Sequence, residues 1–150
     1  MLKFRGASNL SLDAKGRIVL PTRYRERLTE ICGSQLVVTI DTDEPCLLIY
    51  PLNEWEIVEE KINLLTGLNK RVKLIKRKLI GYATDIEVND SGRLLLSAPL
   101  RNYAKLEKKV VLIGQGNKFE LWDEQLWEQH CMEDIDESEE VPDALAELLI

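Results

Sequence analysis

The chain has 150 residues, 45% hydrophobic and 31% charged, which is enough apolar content for a packed core and argues against wholesale disorder. No apolar run reaches membrane-span length, the opening MLKFRGASNL lacks the apolar core of a signal peptide, and three widely spaced cysteines (Cys32, Cys46, Cys131) make no disulfide framework, so a reducing cytoplasm is expected. The formal charge is −6, yet residues 131–150 hold eight acids and no Lys or Arg; the remainder has 20 basic against 18 acidic residues, so net charge does not exclude a polyanionic partner.

In chain order, residues 1–30 gather seven basic side chains (Lys3, Arg5, Lys15, Arg17, Arg23, Arg25, Arg27) against three acids. LDAKGRIVLP, residues 12–21, sets Asp13 four residues before Arg17, with Lys15 and Gly16 between them, and then enters a short strand predicted over 17–20. Gly16 admits a positive φ and hence a sharp bend. Asp13 can accept from Arg17 or from the turn's own N–H groups. Two roles stay open: an Asp–Arg clasp that braces the turn, or an arginine aimed outward at phosphate or a guanine edge. Pro21 suits the first turn of a short helix, PTRYRERL. The runs 36–41 and 46–50 read as a hairpin joined through DTDEP. Asn53 is the expected N-cap of the next helix, with Glu56 completing a capping box.

Trp55, Val58, Ile62 and Leu65 then form one apolar helical face, and Leu68, Val72, Ile75 and Leu79 another, with a turn or kink at 67–69. The far side of the second helix carries Lys70, Arg71, Lys73, Lys76, Arg77 and Lys78, a face suited to solvent or to nucleic acid. The pattern then repeats. Asn89-x-x-Gly92-Arg93 echoes Asp13-x-x-Gly16-Arg17 at an offset of 76, with a strand predicted over 93–96. Two extra residues in LLLSAP would bring Pro99 to Pro21 and Leu106 to Leu28. A helical turn PLRNYAKL, a hairpin of 110–114 with 118–122 through QGNK, and a helix capped by Asp123 follow. Tyr50 corresponds to Trp122 and Trp55 to Trp127. The expected organisation is a first unit at 1–53, a helical insert at 54–80, a second unit at 81–128 and an acidic tail at 129–150. That tail is either a solubilising segment or one that touches a partner or a neighbouring subunit.

Catalysis is not expected. His130 is the only histidine, and on a helix its side chain diverges from that of Cys131 by about 100°. No CxxC, Walker loop or GxGxxG is present, and Gly114-Gln115-Gly116 reads as a hairpin turn. We therefore expect no metal site, no cofactor and no small-molecule substrate.

MLKFRGASNLSLDAKGRIVLPTRYRERL, TIDTDEPCLLIYPLNEWE and GQGNKFELWDEQLW, with the doubled D-x-x-x-R signature, resemble the MraZ family of bacterial transcriptional regulators and, more loosely, the AbrB/SpoVT/MazE group of swapped-hairpin DNA-binding domains. The resemblance spans essentially the whole chain and is weakest in the acidic tail. It implies a mainly β fold with added helices, in which two AbrB-like swapped-hairpin repeats form one pseudo-twofold β-barrel, with helices between and after the repeats. It implies a homo-oligomeric ring that binds double-stranded DNA at promoter direct repeats and represses the division and cell-wall gene cluster and itself, in the cytoplasm on the nucleoid. Carried over by position, Arg17, Lys15, Gly16, Gly92 and Arg93 would meet DNA, while Asp13 and Asn89 would shape the turns. Asn89 stands where the family has Asp, so the second arginine lacks a charged partner. Arg5, Arg23 and Arg101 would serve either fold or DNA. The alternative is an antitoxin-like interaction protein whose acidic tail holds a partner.

Overall fold

The computed structural model describes residues 3–65 and 69–131. The elements are β1 (Ala7–Ser11), β2 (Arg17–Val19), α1 (Thr22–Cys32), β3 (Gln35–Ile40), β4 (Leu47–Pro51), α2 (Leu52–Leu64), α3 (Lys70–Tyr82), β5 (Thr84–Glu87), β6 (Arg93–Leu95), α4 (Ala98–Tyr103), β7 (Lys109–Gly114), β8 (Phe119–Asp123) and α5 (Glu124–Cys131). The order strand–strand–helix–strand–strand–helix occurs twice, and α3 lies between the copies. No helix of the described residues is long and apolar enough to cross a membrane.

The copies interleave. Six strands form one antiparallel sheet in the order β1-β7-β8-β4-β3-β5, and β2 pairs with β6 in a separate ribbon. Thus β1 of the first copy pairs with β7 of the second, β5 of the second pairs with β3 of the first, and the two hairpins meet at β4–β8. The expected barrel does not close among the described residues, because β1 and β5 remain the edges of the six-stranded sheet. The reason is local: the chain leaves each edge strand through a tight turn at 12–16 or 88–92, and those turns hand the backbone to the ribbon instead of extending the ladder.

Residues from both copies share one core. Ile18, Leu20 and Leu28 pack with Leu94, Leu96 and Leu100, and with Ile40, Ile49, Val110, Leu112 and Leu121 of the sheet. At one end Phe4, Tyr24 and Phe119 stack with ring centroids 4.4–5.9 Å apart. Each fully buried side chain of this size contributes roughly 1.5–3 kcal/mol from removal from water. On the outer face of the sheet the expected aromatic correspondence holds: Tyr50 packs on Trp55 at 5.5 Å and Trp122 on Trp127 at 5.7 Å. All three cysteines are free.

Four expectations change. The strands β1 and β5 were not anticipated, since ASNLS and TDIE are short and polar, with only alternate residues turned inward. The helix α2 starts at Leu52 after Pro51, with no side-chain cap, so Asn53 lies inside its first turn and the capping box with Glu56 is not made. Asp123 does cap its helix, accepting from the Leu126 N–H at 3.4 Å. The third change concerns register. Both α1 and α4 begin 76 residues apart, at Thr22 and Ala98, so Pro21 corresponds to Ser97 and not to Pro99. The length difference falls later, because α1 has 11 residues and α4 has 6. Finally, the apolar face of α3 (Val72, Ile75, Leu79) is only half-buried; α3 lies over β3, where the Thr39 hydroxyl donates to Leu79 O at 2.7 Å. Leu68 falls outside the described residues, as does most of the acidic tail.

Candidate nucleic-acid interface

Alternation sets the chemistry of the ribbon. Arg17 faces Leu95, Val19 faces Arg93, and Ile18 faces Leu94 across the ladder. Ile18 and Leu94 are buried, which forces the odd-numbered residues outward. Val19 and Leu95 are 44% and 55% exposed, unusual for aliphatic side chains on a strand. The outward face therefore carries two arginines on one diagonal and two aliphatics on the other. The ribbon is about 10 Å long at the ordinary strand rise, with a tight turn at each end.

The two turns share one backbone design. In the first, Asp13 N–H donates to Arg17 O at 2.9 Å and Gly16 N–H to Asp13 O at 3.0 Å; in the second, Asn89 N–H donates to Arg93 O at 3.3 Å and Gly92 N–H to Asn89 O at 2.9 Å. Asp13 Oδ1 accepts from the N–H groups of Lys15 and Arg17, and Asn89 Oδ1 accepts from those of Ser91 and Arg93. Gly16 and Gly92 sit at φ +85° and +76°, a region side chains disfavour. The ribbon ends are pinned crosswise: Leu20 N–H donates to Gly92 O and Leu96 N–H to Gly16 O, both at 2.8 Å.

The turns differ at the side chain. Asp13 Oδ2 accepts from Arg17 Nε at 2.9 Å, so Arg17 is clasped. Asn89 offers no second oxygen, and the Arg93 guanidinium has no hydrogen-bond partner among the described residues. The Asp13 carboxyl is held below its ordinary range, first by the Arg17 N–H, with the Arg17 side chain and the Lys15 N–H adding to it against an opposing cost of desolvation. Lys15 stands exposed at the turn tip. The structure thus brings Lys15, Gly16 and Arg17 together at one end of the ribbon and Gly92 and Arg93 at the other.

Two arginines stand behind this surface: Arg101, expected to serve either fold or DNA, and Arg25, for which the sequence indicated no role at the turns. A Cβ on Gly16 would meet Arg101, and one on Gly92 would meet Arg25. Each glycine therefore lets an arginine of the opposite copy pack against the turn. The 76-residue register that makes Arg25 the counterpart of Arg101 was the signal available; the misplaced gap hid it. Among the basic residues of α3, Lys70, Arg71, Lys73 and Arg77 are exposed, on a helix packed over β3 and away from the ribbon strands.

Elsewhere, ligand atoms of Asp41, Cys46 and Glu120 lie within 4.8 Å of one another, a grouping that sequence spacing did not reveal. Both carboxylates already have work: Asp41 Oδ1 accepts from the N–H groups of Asp43 and Glu44, and Glu120 Oε1 from Trp122 Nε1. Burial, then the nearby Glu120, Asp41 and Glu44 carboxylates, push the Cys46 thiol far up, so it stays protonated and is a poor nucleophile. His130 stacks on Trp122 at 4.6 Å and reaches Glu44 at 3.0 Å, a packing role and not part of a catalytic pair with Cys131.

The family model for MraZ protein, whose description likens it to antitoxins, matches the chain twice in succession, over residues 3–77 and 79–148. Three relatives are each named transcriptional regulator MraZ. That of Pseudoalteromonas atlantica is 49% identical over 146 residues, covering 97% of this chain and 96% of the relative. That of Histophilus somni is 51% identical over 132 residues, covering 88% and 87%. That of Alkalilimnicola ehrlichii is 48% identical over 149 residues, covering 98% and 99%.

Proposed function

The chain belongs to the MraZ family, and from that premise we propose that it is a sequence-specific DNA-binding repressor whose β2–β6 ribbon enters the major groove. Supporting this is the outward ribbon face, where Arg17 and Arg93 flank exposed Val19 and Leu95 and every polar group needed to fix the first arginine is supplied by Asp13. A two-stranded ribbon fits the major groove, arginine pairs with guanine O6 and N7 or with phosphate, and aliphatics meet the thymine methyl. In this reading Arg17 and Lys15 grip DNA, Arg93 assists, and buried Gly16 and Gly92 supply the positive φ that sets the turns carrying them, with Asp13 and Asn89 shaping the turns.

The interleaved strand pairing supports a swapped-hairpin origin for the repeats at 1–53 and 81–128, with 54–80 as the insert and 129–150 as the tail. One ribbon offers few cations, so we propose that copies assemble into a ring and gain about 10²–10⁴-fold in affinity on direct repeats. The target would be the promoter of the division and cell-wall cluster, its own included, on the cytoplasmic nucleoid. No enzyme activity, cofactor or small-molecule substrate is needed for this role.

A gel shift of Arg17→Ala against promoter direct repeats tests the reading. Loss of the shifted species by a folded protein is expected, and undiminished binding removes Arg17 from the interface. The antitoxin-like alternative is separated by co-purification: a stoichiometric small protein partner bound to the acidic tail favours it.

A further inference from the structure

We propose that a cleft between the N-terminal segment and α1 is a second anion site, built for phosphate groups and independent of the ribbon. Among the described residues it is lined by Lys3, Arg5, Gly6, Arg23, Tyr24 and Arg27, four cations with no acid, around an open space of about 480 Å³. That volume falls within the roughly 300–1,000 Å³ of ligand clefts. The ion pairs found among the described residues, Asp13–Arg17 and Glu44–His130, include none of the four. Like charges gathered without a counter-charge repel one another, and an anion placed among them relieves that cost.

The repeat supplies an internal comparison. The corresponding corner of the second copy also forms a cleft, of about 450 Å³, lined by Arg77, Gly81, Tyr82, Thr84, Ser97, Pro99 and Leu100. In the 76-residue register, Gly81 stands for Arg5, Pro99 for Arg23 and Tyr103 for Arg27. The fold therefore completes this corner with one cation, Arg77, where the first copy gathers four, and that excess in the first copy calls for a ligand.

Two of the four cations are also held in place, Arg23 and Arg27. Arg23 Nη2 donates to Ser8 Oγ at 2.9 Å and to the Tyr24 hydroxyl at 2.8 Å, with its guanidinium 4.6 Å over the Tyr24 ring. Tyr24 in turn donates to Arg5 O at 2.6 Å, and Arg27 Nη1 to Lys3 O at 2.9 Å. The N-terminal strip lies along the β7–β8 hairpin, where Phe4 N–H donates to Gly116 O and Gly114 N–H to Gly6 O. Gly114 makes that approach possible, because a Cβ there would stand 2.4 Å from Arg5 N. Planar guanidinium forks fixed in this way suit phosphate oxygens. The cleft lies about 20 Å from the Asp13 turn, at the far end of β1 by strand rise.

Lys3→Gln/Arg5→Gln tests the site, since neither side chain holds a hydrogen bond among the described residues; Arg5→Gln alone serves if the double variant is unstable. Tripolyphosphate is titrated calorimetrically without DNA, and repeat-DNA binding is measured across a salt series. A free oligophosphate ligand predicts that wild type binds tripolyphosphate, the variant binds it about tenfold or more weakly, and the DNA salt slope is unchanged. A contact to the nucleic-acid backbone predicts that the slope falls by about 1–2 units in the variant. Either result supports the site. No binding of tripolyphosphate by wild type together with an unchanged slope overturns it. Arg17→Ala should bind tripolyphosphate as wild type does, so failure of the ribbon reading and failure of this one are distinguishable.

Discussion

Arg101 packs against Gly16 so closely that a Cβ at residue 16 would stand 2.9 Å from both its Nε and its guanidinium carbon. Arg101 Nε also donates to Leu96 O at 3.1 Å, and Leu96 N–H donates to Gly16 O at 2.8 Å, so helix α4, the end of β6 and the first turn are one unit. Gly16→Ala combines a strained φ with this clash, and we predict a loss of about 1–3 kcal/mol in urea unfolding. Gly33→Ala provides the scale. Its φ is +60° and nothing lies within 4 Å of its Cβ, so about 1 kcal/mol is expected.

The counterpart pair predicts an asymmetry. Arg25 packs against Gly92, but its Nε is buried without a hydrogen-bond partner, whereas Arg101 Nε is satisfied. Methionine keeps most of the side-chain length and removes the polar head. Arg25→Met discards an orphaned donor together with one exposed bond from Nη2 to Thr22 Oγ1 and should change stability by less than about 1 kcal/mol, while Arg101→Met should cost about 1–2 kcal/mol by leaving Leu96 O without its partner. Denaturant midpoints of the two variants, measured side by side, check the order; the reverse order would contradict it.

The parts of the fold legible in the sequence were those fixed by local chemistry. Asp13, Gly16 and Gly92 announce their turns because an Asx acceptor and a positive φ are needed there, and the apolar runs after Arg17 and Arg93 announce short strands, though not that the two pair with each other. The correspondence of Tyr50 with Trp122 and of Trp55 with Trp127 followed from the repeat, and the structure adds that each hairpin aromatic packs on the tryptophan of the helix after it. What stayed hidden depends on partners distant in sequence. Residues 7–11 and 84–87 are strands because the opposite copy's hairpin offers an edge, a tertiary preference that overrides their weak local one. The sheet stays open for the same kind of reason. A matched proline misled the register, since Pro99 inside α4 resembles Pro21 before α1 but occupies a later helical position.

Asp13→Asn converts the first turn into a copy of the second. The Asx acceptor for the Lys15 and Arg17 N–H groups is kept, and the bond to Arg17 Nε is lost. The pair is largely exposed, so stability should move by no more than about 1 kcal/mol. Binding should change in character: removal of a negative charge maintains or raises affinity for scrambled DNA, and release of Arg17 lowers affinity for repeats, so the ratio between them falls. The pH dependence has a definite sign. A carboxyl held below its ordinary 3.8 supports the fold above that pH and loses the support as pH falls through its folded value. In the wild type, the carboxyl resonance of Asp13 should therefore titrate below 3.8. Arg17→Ala removes the side-chain bond while its N–H remains, and should recover only part of the shift. A full return to the ordinary value would assign the shift to the guanidinium alone.

The last prediction separates the two faces of the ribbon. Ile18 and Leu94 are buried in the shared core, and truncation of either to Ala should cost about 2–5 kcal/mol through lost burial and a cavity. Val19 and Leu95 point away from that core and are 44% and 55% exposed, so Val19→Ala/Leu95→Ala should alter stability by no more than about 1 kcal/mol. If these aliphatics exist only to cover the core, repeat-DNA binding will also be unaffected. A ribbon seated in the major groove predicts otherwise, because an apolar side chain there meets the thymine methyl. Replacing thymine by deoxyuridine in the repeats removes that methyl and nothing else from the groove edge. Wild type should lose affinity on the deoxyuridine repeats, the double variant should bind both repeats equally, and the difference between the two proteins isolates the methyl contact. Equal sensitivity of both proteins to the base change would place Val19 and Leu95 outside the groove.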